Sequence, residues 1–285
     1  PVVIYEAQRP GPSTGMATRT EQGDLLFVLH ASQGEFPRIV LAPGTIEQAF
    51  EAGWRAFNLA ERYQCPVIVL SDHFLATSLR DVRQEDLGMD RVTIDRGKLL
   101  TGAELDALAD GEYRRYAFTE DGISPRAIPG HPRAVYPVMS DEHDDAGHIT
   151  EDPVNRRLMM EKRMRKLASA LKEMRPPVLY GPEDAEVTFV GWGSTYGPLR
   201  EAVDRLNAEG LRASMVHIVD IWPFPAEAVA GLLRKARRLV AVENNYSGQM
   251  AELIRMKTGI EIKERILKYD GRPLSPEFIL REFRG

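Results

Sequence analysis

The sequence predicts an α/β protein made of two parallel-sheet parts in succession. Three observations carry that prediction. Residues 1–75 alternate short β-branched runs with amphipathic helical stretches, the grammar of a parallel α/β layer. Residues 185–285 resume the same alternation after a long interruption. The run "PVIVLSD" is apolar nearly throughout, as a strand covered on both faces should be.

The elements follow in order. "VVIYEA" reads as a buried strand that opens the sequence. A domain rarely starts inside its own sheet, so the expectation is that these residues are the C-terminal part of a longer chain. Thr18-Arg19-Thr20-Glu21 has the capping-box pattern, predicting a helix that starts there. "RIVLAP" is the next strand. Thr45-Ile46-Glu47-Gln48 is a second capping box. The helix it opens places Ile46, Ala49, Phe50, Gly53, Phe57 and Ala60 on one expected face. "PVIVLSD" is the third strand.

From about 76 to 150 the rhythm is lost. "ISPRAIPGHPRAVYPVMSDEHDDAGHITEDP" is too rich in proline, acid and histidine for a regular element, and reads as an ordered excursion over the surface. "VNRRLMMEKRMRKLASALKEM" is a basic amphipathic helix leading to Pro176-Pro177. The expected division is therefore 1–176 and 177–285. In the second part "EVTFVGWG", "ASMVHIVDIW" and "RRLVAVENN" are strands, and "PLREAVDRLNAEG", "AEAVAGLLRKA" and "GQMAELIRMKTG" are helices. Pro198 near the start and Gly210 past the end bracket the first of these helices.

The bulk composition narrows the function. The 285 residues have room for two cores, and the 43% hydrophobic and 28% charged content is that of an ordinary globular chain. A net charge of −5 argues against a general nucleic-acid binder. No apolar run is long enough to span a bilayer as a helix, so no membrane role is expected. The single cysteine, Cys65, can build neither a thiolate zinc site nor an iron–sulfur cluster, and sits before a proline and an apolar strand as a buried, inert thiol. With no charged-then-apolar leader at the start, a reducing cytoplasm is the expected location.

Arg9 is the leading site candidate. It falls at the C-terminal end of the first strand, the edge where ligands gather in open parallel sheets. Its planar fork suits a carboxylate or phosphate. The following Gly11, Pro12, Ser13, Thr14 and Gly15 can turn several amides to one side, and a helix starting at Thr18 would add its own. The plain alternative is a surface arginine before a tight turn. "GPSTG" is neither a Walker loop nor a Rossmann fingerprint. His143, His148 and six carboxylates crowd "SDEHDDAGHITED", but without helical ligand spacing a solvated acidic loop is the better reading. Asp72-His73 could supply a base or a ligand anchor, or simply a polar strand end. Glu243 and Asn244 in "ENNYSGQM" occupy a crevice position where an interface or structural role is expected.

"QRPGPSTGMATRTEQGDL", "FPRIVLAPGTIEQAFE", "AFNLAERYQCPVIVLSD", "SDEHDDAGHITED", "MEKRMRKL" and "VENNYSGQMAELIR" together, in this order, resemble the alpha subunit of 2-oxoacid:ferredoxin oxidoreductases, most closely the 2-oxoglutarate type. The resemblance runs along nearly all of the sequence. It implies that the first part is the remainder of a thiamine-diphosphate pyrimidine-binding domain and the second a transketolase C-terminal-type domain. The gamma-like domain, the Tyr-Pro-Ile-Thr-Pro loop and the glutamate that contacts the thiamine ring would lie before Pro1. Arg9 would hold the 2-oxoacid carboxylate, with Gly11 to Gly15 shaping that side of the pocket. Thiamine diphosphate and Mg2+ would be held mostly by a beta subunit, which would also carry the [4Fe-4S] cluster. Coenzyme A would accept the acyl group, ferredoxin the electrons, and a second copy of the heterodimer would complete the assembly. Arg126 and His131 could meet a distal carboxylate. Two other readings remain open here: a non-catalytic scaffold subunit, and a thiamine enzyme that uses no ferredoxin.

Overall fold

A computed structural model describes residues 1–285. In chain order the first elements are β1 (Val2–Gln8), α1 (Leu25–His30), β2 (Ile39–Leu41), α2 (Ile46–Tyr63), β3 (Pro66–Asp72), α3 (His73–Thr77), α4 (Gly102–Asp106) and α5 (Pro153–Leu171). Then follow β4 (Val178–Tyr180), β5 (Val187–Trp192), α6 (Tyr196–Ala208), β6 (Ala213–Ile218), β7 (Asp220–Trp222), α7 (Ala226–Leu233), β8 (Leu239–Glu243), α8 (Gln249–Thr258), β9 (Glu264–Leu267) and α9 (Pro276–Arg284).

Two sheets result. The first has the order β1-β3-β2-β7, with β1, β3 and β2 parallel and β7 antiparallel. The second has the order β4-β6-β5-β8-β9, parallel except for the antiparallel edge strand β4. Alternation along the strands explains the layering. Val40, Ile68 and Leu70 join Val190, Trp192, Val216, Ile218 and Ala241 in one continuous core with α1, α7 and α8. Ile39, Leu41, Val67 and Val69 point the other way, to α2 and the end of α5. Val187, Phe189, Met215 and Val242 meet α6 and α9.

Four sequence expectations are corrected. "VVIYEA" forms the predicted strand, but at the sheet edge: Val2, Ile4 and Tyr5 are 49%, 43% and 53% exposed. An apolar run does not by itself distinguish an edge from a centre. "ASMVHIVDIW" breaks at Val219 into β6 and β7, which belong to different sheets. The buried face of α2 is Ala52, Ala56, Leu59, Ala60 and Tyr63, while Phe50 and Phe57 point outward. Small alanines let the helix lie close on the sheet, and that favours this face over the bulkier one. Finally, no helix starts at Thr18. α1 begins at Leu25 after an Asp24 that makes no side-chain cap.

The Thr45 cap does form, and Thr45 Oγ1 accepts from Gln48 N at 3.2 Å. Gly44 N, one residue before the cap, donates to Gln48 Oε1 at 2.8 Å. The excursion is tied down by short helical turns and a small core of Leu105, Tyr113, Ala127 and Ala134. Carboxylates of the acidic loop serve local structure. Glu142 pairs with Arg156 and Arg163, and Asp144 Oδ1 accepts the amides of Ala146, Gly147 and His148 at 2.9 Å each. No group of three His, Cys, Asp or Glu side chains able to hold a metal is assembled. No helix is long and apolar enough to cross a membrane.

β7 fastens the second part to the first sheet. Val40 pairs with Trp222 and Leu41 with Asp220. Asp220, with a wholly buried side chain, receives Arg55 of α2 bidentately at 2.8 and 2.6 Å, and Arg175 N at 2.7 Å. Removing one partner strands the other charge in the interior. Asp220→Ala is therefore expected to lower unfolding stability by about 3–5 kcal/mol in denaturant titration; a loss below ~1 kcal/mol would show that this pair does not hold the parts together.

Candidate functional site

The C-terminal ends of β1 and β3 form a rim. Gln8 ends β1 and is 1% exposed. Its Nε2 donates to Ser71 O of β3 at 3.0 Å, and its Oε1 accepts from Asp24 N at 3.0 Å. One side chain thus pins the strand end and the return of the loop that leaves it. Between these points Met16 N donates to Pro10 O at 3.0 Å, closing a tight turn. Gly15 sits at φ +51°, and a Cβ there would fall 1.8 Å from Pro10 O, so only glycine fits.

Arg9 stands at the mouth of this turn, exposed, with no hydrogen bond or ion pair inside the chain. Gly11, Pro12, Ser13, Thr14 and Gly15 are all exposed beside it. The expected amide contribution from a helix at Thr18 is absent, because residues 18 and 19 form a turn and bend and residues 20–24 run as an irregular strap. Thr20 N donates to Gly271 O at 3.3 Å, and Thr20 Oγ1 accepts from Phe74 N at 3.2 Å.

Gln22 anchors that strap. In the second sheet β6 and β8 lie on opposite sides of β5, so the crevice at the end of β5 is a topological switch point, where open α/β sheets take ligands. Here Gln22, 0% exposed, fills it. Its Nε2 donates to Trp192 O at 2.9 Å and its Oε1 accepts from Asn244 N at 3.0 Å. Its backbone N donates to Asn244 O at 2.6 Å, and its carbonyl accepts from Asn245 Nδ2 at 3.1 Å. Glu243 supports the same corner, accepting from Trp192 Nε1, Asn245 Nδ2 and the amides of Met250 and Ala251. Glu243 and Asn244 thus have the expected structural role.

Asp72, 2% exposed, caps α3 by accepting from Leu75 N at 2.9 Å and receives Ser194 Oγ from the second part. Burial pushes its carboxyl above the ordinary aspartate range, and the Ser194 and Leu75 bonds counter that. Next to it, a Cβ on Gly44 would come within 2.2 Å of Gly193 O and 2.8 Å of the His217 ring. Above this seam lies a cleft of about 510 Å3, lined by Gly44, Thr45, Phe74 and Arg80 from the first part and Ser194 and Arg200 from the second.

The structure does not bring Arg126 and His131 to this rim. Arg126 is ion-paired with Glu61 and lies near Pro1, at the other end of β1 from Arg9, and His131 Nε2 lies 3.3 Å from Asp106 Oδ1. Cys65 is buried, its thiol pushed up to about 11 by desolvation. The residues that sequence reasoning missed are Gln8, Gln22, Gly44 and Ser194. "GWGST" after a strand was the available signal for the last; the others have partners distant in sequence.

Comparison with known proteins follows from this geometry. The sequence profile described as pyruvate flavodoxin/ferredoxin oxidoreductase, thiamine diP-binding, matches residues 1–163, more than half of the chain. The profile of pyruvate:ferredoxin oxidoreductase core domain II matches residues 185–279. The chain belongs to the 2-oxoacid:ferredoxin oxidoreductase alpha-subunit family. It is 42% identical over 277 residues to the alpha subunit of 2-oxoacid:ferredoxin oxidoreductase from Saccharolobus solfataricus, covering 96% of this chain and 43% of that one. It is 33% identical to the 2-oxoglutarate oxidoreductase subunit KorA of Mycobacterium tuberculosis, over 92% of this chain and 39% of the relative. The structure of the 2-oxoglutarate:ferredoxin oxidoreductase from Magnetococcus marinus, with 2-oxoglutarate, coenzyme A and succinyl-CoA bound, superposes with a TM-score of 0.87 at 35% identity, covering 99% of this chain and 48% of that one. The chain thus spans less than half the length of these three relatives, and shares their thiamine-enzyme α/β fold.

The seam carries a pH signature. His217 is wholly buried, and its Nε2 donates to Gly193 O at 2.9 Å. Desolvation holds its pKa down at about 4, from 6.5. The unfolded chain therefore binds the extra proton first, and stability is lost as pH falls from 6.5 toward 4. The expected loss is about 3 kcal/mol, read by denaturant titration across that range. His217→Gln should flatten this part of the profile; an unchanged slope would place the titration elsewhere.

Proposed function

We propose that this chain is the substrate-positioning part of a 2-oxoacid:ferredoxin oxidoreductase alpha subunit acting on 2-oxoglutarate. The reaction is oxidative decarboxylation with coenzyme A, yielding an acyl-CoA and CO2 and passing electrons to ferredoxin. The observation that carries this reading is the unpartnered Arg9 guanidinium on a rim whose loop is pinned at both ends. A cation left free on a rigid support can meet an anion without first breaking an internal pair. The Magnetococcus relative's 2-oxoglutarate, coenzyme A and succinyl-CoA support the substrate and acceptor classes. The division of the chain at 176/177 is retained as part of this reading.

The donor set fits a division of labour between subunits. This chain offers one buried cysteine and no assembled metal-binding cluster, so we assign Mg2+ and the [4Fe-4S] cluster to a beta subunit. The same subunit would hold most of the thiamine diphosphate, and a second heterodimer and a cytoplasmic setting complete the reading. Thiamine diphosphate, when bound, supplies the stabilised carbanion chemistry that makes decarboxylation possible. The work left to this chain is orientation. Arg9 receives the substrate carboxylate through its two-pronged fork. Gly11, Pro12, Ser13, Thr14 and Gly15 present backbone close to the acid, with no large side chain in the way. Because the carboxylate departs as neutral CO2, Arg9 must hold it firmly enough to orient it, but not so firmly that its loss is penalised. An exposed arginine, with its charge partly screened by water, suits that requirement better than a buried one.

In the intact complex, Arg9→Ala should lower kcat/KM for the 2-oxoacid about 10- to 100-fold, the range of a charge-assisted hydrogen bond. Electron transfer from chemically reduced enzyme to ferredoxin should be unchanged. Unaltered kinetics with the 2-oxoacid would overturn the assignment of Arg9. Absence of thiamine-dependent turnover in the unmutated complex would instead favour a scaffold role.

A further inference from the structure

The first sheet has a second concavity at its opposite end, where β2 and β3 begin. β3 is seven residues long, so about 20 Å separates this end from the Arg9 rim. The pocket holds about 240 Å3. Phe36, Pro37, Pro66 and Met159 form its apolar wall. Its polar lining is dominated by cations: Arg115, Lys162, Arg163 and Lys166.

Three of these cations have no carboxylate partner. Lys162 is 5% exposed, and its Nζ donates to Tyr116 O at 2.7 Å. Lys166 Nζ donates to Gln64 O at 3.3 Å. Arg115 donates to Gln64 Oε1 at 2.9 Å and stacks over Tyr116. All of these acceptors are neutral. Arg163 alone is neutralised, by Glu142. The nearby acids are engaged elsewhere, Asp121 with Lys98 and Asp145 with Arg114. Lys162 and Lys166 also stand one turn apart on α5, where like charges repel. Folding alone gains nothing from confining three uncompensated cations in a shared, half-enclosed space. An anion seated among them removes the repulsion.

We propose that this pocket is a binding site for a phosphoryl group, free or carried on a small molecule, held by Lys162, Lys166 and Arg115. A tetrahedral phosphoryl oxyanion, carrying one or two negative charges, matches donors that converge from two chain segments, α5 and the excursion. The site is independent of the proposed Arg9 function, since it lies at the other end of the sheet.

The occupied pocket requires charged lysines. Desolvation and the surrounding cations lower Lys162 to about 7 and Lys166 to about 8. The groups facing them are Arg163 on α5, Arg115, His143, Asp121 and Asp145 on the excursion, and Cys65 just before β3. Sulfate stays dianionic across this range, so its affinity should fall at least tenfold between pH 6.5 and 9 as the lysines lose their protons.

The test is equilibrium dialysis of the chain with radiolabelled inorganic phosphate at pH 6.5 and low ionic strength, with glycerol 2-phosphate as competitor. One saturable site is expected. Tighter competition by the monoester identifies a phosphorylated small molecule as the ligand, and weaker competition identifies free phosphate. Lys166→Gln should weaken binding at least tenfold while the anion-free variant melts no lower than the unmutated chain, because a repulsive charge has gone. Arg115→Gln gives the same reading should the first variant fail to fold. No saturable binding of either probe, or binding unaltered in the folded variant, would overturn the proposal.

Discussion

The arrangement depends on Gln22 filling the crevice at the end of β5. A strand end at a switch point leaves backbone groups that need partners, and a buried orphan amide or carbonyl is costly. Gln22 satisfies Trp192 O, Asn244 N and Asn244 O, and takes Asn245 Nδ2 on its own carbonyl. A place that would otherwise take a ligand becomes the joint between two sheets. The strap carrying Gln22 also carries, upstream, the loop with Arg9. The same bonds that join the sheets therefore set where the guanidinium stands.

The joint is reinforced by interactions of different kinds. β7 crosses into the first sheet and brings Asp220 to Arg55. Gly44 lets Gly193 and His217 approach closer than any side chain would permit. Ser194 reaches Asp72 at the end of β3. Polar groups do this work while the apolar core runs unbroken from Ile68 to Val216 and Ile254. The rim is consequently rigid below and open above, and a positioning residue needs both.

Local pattern made much of the fold legible. Apolar β-branched runs marked β2, β3, β5 and β8, and the helical periodicity marked α2, α5, α6 and α8. Three of the four failures share one cause. Thr18–Glu21 has the letters of a capping box, yet Thr20 and Gln22 find stronger partners at Gly271 and Asn244, more than two hundred residues away. Val219 divides what reads as one strand because β7 has a partner in the other sheet. The exposure of Val2, Ile4 and Tyr5 depends on strand order, which composition does not encode. Arg9 was legible because it follows a strand and precedes a glycine-rich turn. The Gln8 clip that presents it was not, since Ser71 lies on another strand and Asp24 comes back to Gln8 only through the intervening loop.

The central claim is that this joint presents Arg9 to an organic acid. It is tested most directly by a crystal structure of the intact complex holding a 2-oxoacid. The account predicts the Arg9 guanidinium within about 3 Å of the acid's carboxylate oxygens, with Gln22 still seated against Trp192 and Asn244. An acid bound elsewhere, with Arg9 turned into solvent, would contradict it.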